Sequence, residues 1–160
     1  MSDYRTVTVP AHHVLASRET ISADAMVDYF DRAFTQAART LAAAGLRPTG
    51  AARAYYFSPP TDTVDLAGGF VVPGDGLDAV TRAIDPASGL AVHLIPESRA
   101  MVTSHHGGYD GLPQAWQELV DYAHARGEEL SVPCWEEYVT MPTPEADPAD
   151  MVTDLYQPLV

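Results

Sequence analysis

The feature that most constrains this chain is that it states one pattern twice. A strand ends in proline, a helix ends in glycine, and a further strand carries a tyrosine four residues ahead of another proline before a last strand closes the unit. The first copy runs through Val7-Thr8-Val9-Pro10, Met26 to Gly45, Tyr55-Tyr56-Phe57-Ser58-Pro59 and Gly69-Phe70-Val71-Val72-Pro73. The second runs through His93-Leu94-Ile95-Pro96, Leu112 to Gly127, Tyr138-Val139-Thr140-Met141-Pro142 and Asp154-Leu155-Tyr156-Gln157-Pro158. Subtracting the numbers of matching landmarks gives 96 − 10 = 86, 127 − 45 = 82, 138 − 55 = 83 and 158 − 73 = 85. A nearly constant displacement marks an internal duplication, here pseudo-repeats of about 5–73 and 90–159 within a single domain spanning 1–160.

Each copy reads as strand, helix, strand, strand. Arg5 to Val9 alternates polar and apolar residues before Pro10, and Val14 to Arg18 continues the strand past a bulge or turn. Ser22 suits the N-cap of the first helix, with Ile21 and Met26 placed as a hydrophobic staple. Met26, Phe30, Phe34, Ala37, Ala38 and Leu41 then form one stripe, and Gly45 closes the helix. The second helix opens with Pro113, carries Trp116, Leu119, Val120 and Ala123 on its apolar side, and closes at Gly127. Leu77 to Ile84 reads as a short helix or a loop. Pro142 to Pro148 is too rich in proline for a regular element and reads as a surface connection. A helix with one apolar stripe needs a sheet to lie on. The predicted fold is therefore α+β: two fused units in one antiparallel sheet, two main helices on one face, and a central ligand cleft, expected on the face opposite the helices.

Composition narrows the partners. Nine Lys and Arg, all of them Arg, against 22 Asp and Glu give a formal charge of −13, which opposes direct binding of nucleic acid and attracts cations. With 160 residues the chain can bury a core without disulfides, and its single cysteine, Cys134, forms none internally. No segment reads as a signal peptide or a membrane span, so a cytoplasmic protein with no membrane partner is expected. The adjacent pairs His12-His13 and His105-His106 point to opposite faces when on strands and so do not chelate one ion. Neither a metal nor a cofactor is expected, and Gly107-Gly108-Tyr109-Asp110-Gly111 lacks the Lys and Ser of a phosphate loop.

The strand Cys134-Trp135-Glu136-Glu137-Tyr138-Val139-Thr140 concentrates the chemistry. If Trp135 and Val139 pack under a helix, alternation puts Glu136, Tyr138 and Thr140 on the concave face, with Glu137 as the fallback carboxylate. A carboxylate among aromatic rings is costly to bury and usually has a use. Matched by the landmark tyrosines, Arg53, Tyr55 and Phe57 occupy the twin positions, so Arg53 replaces Glu136 and an ion pair between them is one expectation. Tyr156 and Phe70 supply aromatic walls, Trp116 stands on the second helix as core or pocket, and His105 reaches the cleft mouth.

His106-Gly107-Gly108-Tyr109, Leu112-Pro113-Gln114-Ala115-Trp116, Glu136-Glu137-Tyr138 before Pro142, and the closing Val152 to Leu159 together resemble the gyrase-inhibitor-like (GyrI-like) small-molecule-binding domain. That domain is also the effector-binding half of multidrug-responsive regulators. The resemblance covers essentially the whole chain and implies that Glu136 is the pocket carboxylate, surrounded by Tyr138, Tyr156 and first-half aromatic residues. It implies a bulky, often cationic aromatic ligand. The repeats leave no room for a helix-turn-helix. Stand-alone relatives imply three alternatives: a binder that sequesters drugs or toxins, a gyrase-interacting protein, or a hydrolase that opens cyclopropane rings of DNA-alkylating natural products. In the last, Glu136 and Tyr138 are the catalytic candidates.

Overall fold

The computed structural model describes residues 3–48, 50–59, 61–140 and 147–160. Within them the elements run β1 (Arg5–Val9), β2 (His12–Ser22), α1 (Met26–Ala43), β3 (Arg53–Tyr56), β4 (Thr63–Val72), α2 (Leu77–Ala83), β5 (Leu90–Ile95), β6 (Ser98–His106), α3 (Leu112–Ala125), β7 (Cys134–Tyr138) and β8 (Val152–Leu159). All eight strands form one antiparallel sheet in the order β1-β6-β8-β7-β3-β4-β2-β5, giving the expected α+β architecture. None of the described helices is long and apolar enough to cross a membrane.

Both helix ends fall where the glycines place them. Gly45 and Gly127 adopt φ of 75° and 77°, a left-handed conformation that a side chain resists, and each follows the last helical turn. The start of α1 differs from expectation. Ser22 ends β2 and makes no side-chain cap bond, because a 3-10 turn at Ala23–Ala25 intervenes and puts Ala25 at the cap position. Ile21 and Met26 nevertheless pack into one cluster with Tyr29 and Leu66. Leu77 to Ala83 resolves as helix α2; of the proline-rich stretch, residues up to 146 lie outside those described, and Pro148 opens a 3-10 turn at Pro148–Asp150.

The two halves meet at the β3–β7 pair, and each half lends its first strand to the other. β1 pairs with β6 of the second half, while β5 pairs with β2 of the first. Arg5 to Val9 and Val14 to Arg18 are therefore not one strand broken by a bulge, since Pro10 and Ala11 carry the chain from one sheet edge to a strand beside the other. Strands six places apart in a flat sheet would lie about 29 Å apart at about 4.8 Å per step. Three Cα steps reach about 11 Å at most. The sheet must coil so that Val9 to His12, and likewise Ile95 to Ser98, cross over its helix-free face.

Two cores result, one on each side of the sheet. On the helix side, Ala37 and Leu41 of α1 and Val80 of α2 pack on Leu15, Ala54 and Phe70, while Leu119 and Ala123 of α3 pack on Met101, Leu155 and Leu159. Under the crossings, Val14, Ala16, Tyr55, Ala67, Ile95 and Trp135 form a separate cluster joined by Val9, Phe57 and Tyr156. Between α1 and α3 the sheet's centre is left for larger side chains to line.

Candidate functional site

β7 occupies the middle of the sheet, where its register decides which side chains share a face. Trp135 stands opposite Tyr55 and Tyr156, and Glu137 opposite Arg53 and Asp154. Glu136 stands opposite Ala54 and Leu155, and Leu155 lies in the core beneath α3. Glu136 and Tyr138 thus lie on the helix face, between α1 and α3, and not on the helix-free face expected from the sequence. The inversion has a simple cause. Both faces of a central strand are covered here, so an apolar pair on one parity does not tell which side bears the helices. Trp135 is fully buried, under the strand crossings instead of a helix, while Val139 lies past the strand and is 48% exposed.

Glu136 is 5% exposed and lies on the helix face of β7, beneath Trp116 of α3. Trp116 Nε1 donates to its Oε1 at 3.0 Å and the Tyr138 hydroxyl to its Oε2 at 2.9 Å. Tyr56, on the same face of the neighbouring strand β3, adds to the polar surroundings of this carboxylate. Burial pushes the Glu136 carboxyl above its ordinary value, opposed by the bonds from Trp116 and Tyr138 and by the nearby Tyr56 and His105. Burial likewise drives the hydroxyls of Tyr56 and Tyr138 well above the ordinary phenol range. Among the described residues no arginine forms an ion pair with Glu136.

Aromatic rings form the walls. Phe30 and Phe34 stack at 5.5 Å on α1 and meet Tyr138 edge-on at 6.3 and 6.1 Å. Tyr109, 37% exposed on the turn before α3, meets Tyr138 edge-on from the other side at 5.6 Å. Phe70 backs Phe34 at 6.1 Å. Across β8, His105 shares the face of Tyr138 through Thr153, and its Nε2 bonds the Gly108 carbonyl at 2.9 Å, which ties down the turn that carries Tyr109.

Of the residues singled out from the sequence, Glu136, Tyr138, Trp116, Phe70 and His105 therefore come together. Tyr55, Phe57 and Tyr156 do not; they lie on the opposite face. There Arg53 donates to the Tyr55 hydroxyl at 2.9 Å and pairs with Glu137 at 2.8 Å, so the expected Arg53–Glu136 pair is replaced by one with the neighbouring glutamate. Tyr156 stacks on Trp135 at 5.2 Å, and the Arg18 guanidinium covers Phe57 at 3.9 Å. Alignment by the landmark tyrosines causes the error. Their displacement of 83 is one more than the 82 that keeps the face on this strand, and a one-residue slip moves a strand residue to the other face. The face-preserving match is Tyr56 with Tyr138, displaced by 138 − 56 = 82, the same as the helix-closing glycines.

Phe30, Phe34, Tyr56 and Tyr109 join this face beyond the residues that the sequence singles out. Phe30 and Phe34 belong to the α1 stripe, but the residues fully buried beneath it are Tyr29, Ala33, Ala37 and Leu41. Small residues against the sheet, flanked by half-exposed phenylalanines, were the available signal.

Comparison with known proteins agrees with the fold. The family profile described as a GyrI-like small molecule binding domain matches residues 2–160. No curated protein matches the chain in sequence. In structure the chain is similar to the EcmrR chain of an EcmrR–DNA complex, with a TM-score of 0.78 and 18% identity over 99% of this chain and 57% of that one. It thus spans a little over half of that protein. A hydrolase from Listeria innocua superposes with a TM-score of 0.71 and 14% identity, over 99% of this chain and 92% of its own. The SAV2435 protein bound to tetraphenylphosphonium gives 0.69 and 15%, over 99% and 94%. At such identities these likenesses speak for the fold alone, whereas the profile spans nearly every residue: the chain belongs to the GyrI-like small-molecule-binding domain family.

Proposed function

We propose that this protein takes up bulky aromatic cations between α1 and α3, with Glu136 as counter-charge and the surrounding rings as contacts, and so sequesters drugs or toxins. One observation carries the reading: a buried carboxylate held by neutral donors, with no arginine paired to it among the described residues. Such a group is expensive to ionise in place. A ligand cation lowers that cost while ring faces attract it further. The half-buried Phe30, Phe34, Tyr56 and Trp116 offer apolar area to a ligand whose charge is spread over aryl groups. Tetraphenylphosphonium, seen with the SAV2435 protein, is a probe of this class. Calorimetric titration should show it binding the wild type at least about tenfold more tightly than Glu136→Gln, a loss of about 1.4 kcal/mol. Equal affinities would overturn the assignment of the counter-charge. Binding should also weaken as pH falls, because ligand and proton compete for the same carboxylate.

The bond from Tyr138 to Glu136 favours a second reading, hydrolysis of an electrophilic cyclopropane in the same cleft. Glu136, made more basic by burial, takes a proton from water as the water oxygen bonds to a ring carbon. The breaking carbon–carbon bond delivers its electron pair to a conjugated carbonyl, which becomes a phenolate and is protonated, leaving a product one water heavier. Tyr138 orients the carboxylate or supplies that proton, and a Glu136→Gln protein should leave the substrate mass unchanged. Mass spectrometry showing no gain of water with the wild type would exclude the chemistry for the compound tested.

A further inference from the structure

The rings gathered about Glu136 differ in what holds them. Phe30 and Phe34 stand on α1, Trp116 on α3, Tyr56 on β3 and Tyr138 on β7, so each is carried by a regular element. Tyr109 is not: it opens a 3-10 turn at Tyr109–Gly111, is 37% exposed, and meets Tyr138 edge-on at 5.6 Å. Three of the five residues from Gly107 to Gly111 are glycines, and Gly108, at the head of the turn, makes no side-chain cap bond. Ordering such a segment costs conformational entropy, so contacts from outside it must fix it.

His105 of β6 supplies them at both ends of the turn. Its Nε2 lies 2.9 Å from the Gly108 carbonyl, which can only accept, so the ring carries its proton there. The same carbonyl takes the Gly111 N–H at 3.2 Å. At the far end the imidazole lies against Gly111: a Cβ on that residue would stand 2.8 Å from Cε1 and 3.1 Å from Nε2. Gly111 has φ −86° and ψ −7°, an ordinary turn conformation, so the His105 ring and not the backbone excludes a side chain here. The Gly107 N–H, which donates to the Met151 carbonyl at 2.9 Å, anchors the approach to the turn.

We propose that His105 is a positioning residue for the uptake of aromatic cations, an inference that rests on the function proposed above: by holding the Gly108 carbonyl and seating Gly111, it presents Tyr109 beside Tyr138 before the ligand arrives. A ring placed in advance spares the complex the entropy of ordering the turn. His105 acts through Tyr109 and needs no contact with the ligand.

Tetraphenylphosphonium serves as the probe. His105→Phe, which keeps a ring but loses the donor, should bind it about fivefold more weakly than the wild type, equivalent to about 1 kcal/mol. His105→Gln, whose amide can donate to the same carbonyl, should recover most of that loss. Gly111→Ala, which drives the imidazole aside and leaves it chemically intact, should lose as much as His105→Phe. In a Tyr109→Ala background the change at His105 should cost nothing further, because the ring it positions is gone. Wild-type affinity in either His105→Phe or Gly111→Ala, or an undiminished loss in the Tyr109→Ala background, overturns the proposal. A measurement without ligand separates it from the function itself: in the intact 15N-labelled chain the Gly111 amide proton should exchange with solvent about fivefold faster in His105→Phe than in the wild type. Unchanged exchange overturns the brace. Faster exchange in a protein whose wild type does not bind tetraphenylphosphonium supports the brace and removes the uptake reading instead.

Discussion

Glu136 is asked to do two opposed things. Its folded-state pKa is raised, mainly by burial, so its contribution to stability is fully present below the unfolded carboxyl value and is lost as pH rises through the folded one. A neutral isostere should avoid that loss. We expect Glu136→Gln to melt about 2–4 °C above the wild type at pH 8, equivalent to about 1 kcal/mol, with the difference shrinking on acidification. Trp116 can still donate to the amide oxygen, and the Tyr138 hydroxyl can turn to accept from the amide nitrogen. A variant that melts lower at pH 8 would mean that the carboxylate is better solvated than its burial indicates. In the sequence, alternation along Cys134 to Thr140 and the family resemblance single out Glu136, with Glu137 as the fallback. Its neighbour was harder to place: Glu137 and Arg53 bind each other across β3 and β7, which no local pattern reveals.

At the level of elements, the strand pairs hold one contact that tolerates no side chain. A Cβ on Gly69 would stand 1.8 Å from the Leu15 carbonyl oxygen, where β4 passes β2 beside the Ala16–Gly69 pair. Because the clash is with backbone, Gly69→Ala should destabilise the fold by about 3 kcal/mol or more, read from the urea midpoint. Wild-type stability in that variant would show that β2 can move away freely. Helix limits were legible from Gly45 and Gly127, whose left-handed backbone is a local requirement. Strand pairing was not, because Pro10 and Pro96 looked like strand ends or bulges when they mark crossings from one edge of the sheet to the other. Face assignment failed for the related reason that Trp135 looked like a residue beneath a helix. Its cover comes from His12, whose ring lies 5.8 Å away, and from Val9 and Ile95.

For the whole molecule, the charge of −13 bears on stability and on the proposed capture of a cationic ligand. The described ion pairs of Arg18, Arg32 and Arg99 are largely exposed and offset little of it. Screening within about 8 Å at 0.15 M salt should relieve the self-repulsion. The melting temperature should therefore rise by about 2–4 °C between 10 mM and 150 mM NaCl, while the association rate of a cationic ligand falls. If both quantities ignore salt, the field is locally compensated and plays no part in capture.

The sequence by itself determined the doubling, the α+β class and the helix ends, because propensity, capping and periodicity are written in neighbouring residues. Only the tertiary structure decided that Glu136 and Tyr138 face the helices, that Tyr56 belongs with them, and that Tyr55 and Tyr156 lie behind the sheet. Alternation along a strand fixes which residues share a face. Which face the helices cover is settled by pairings between distant segments and by the coil that lets two short crossings close the other side.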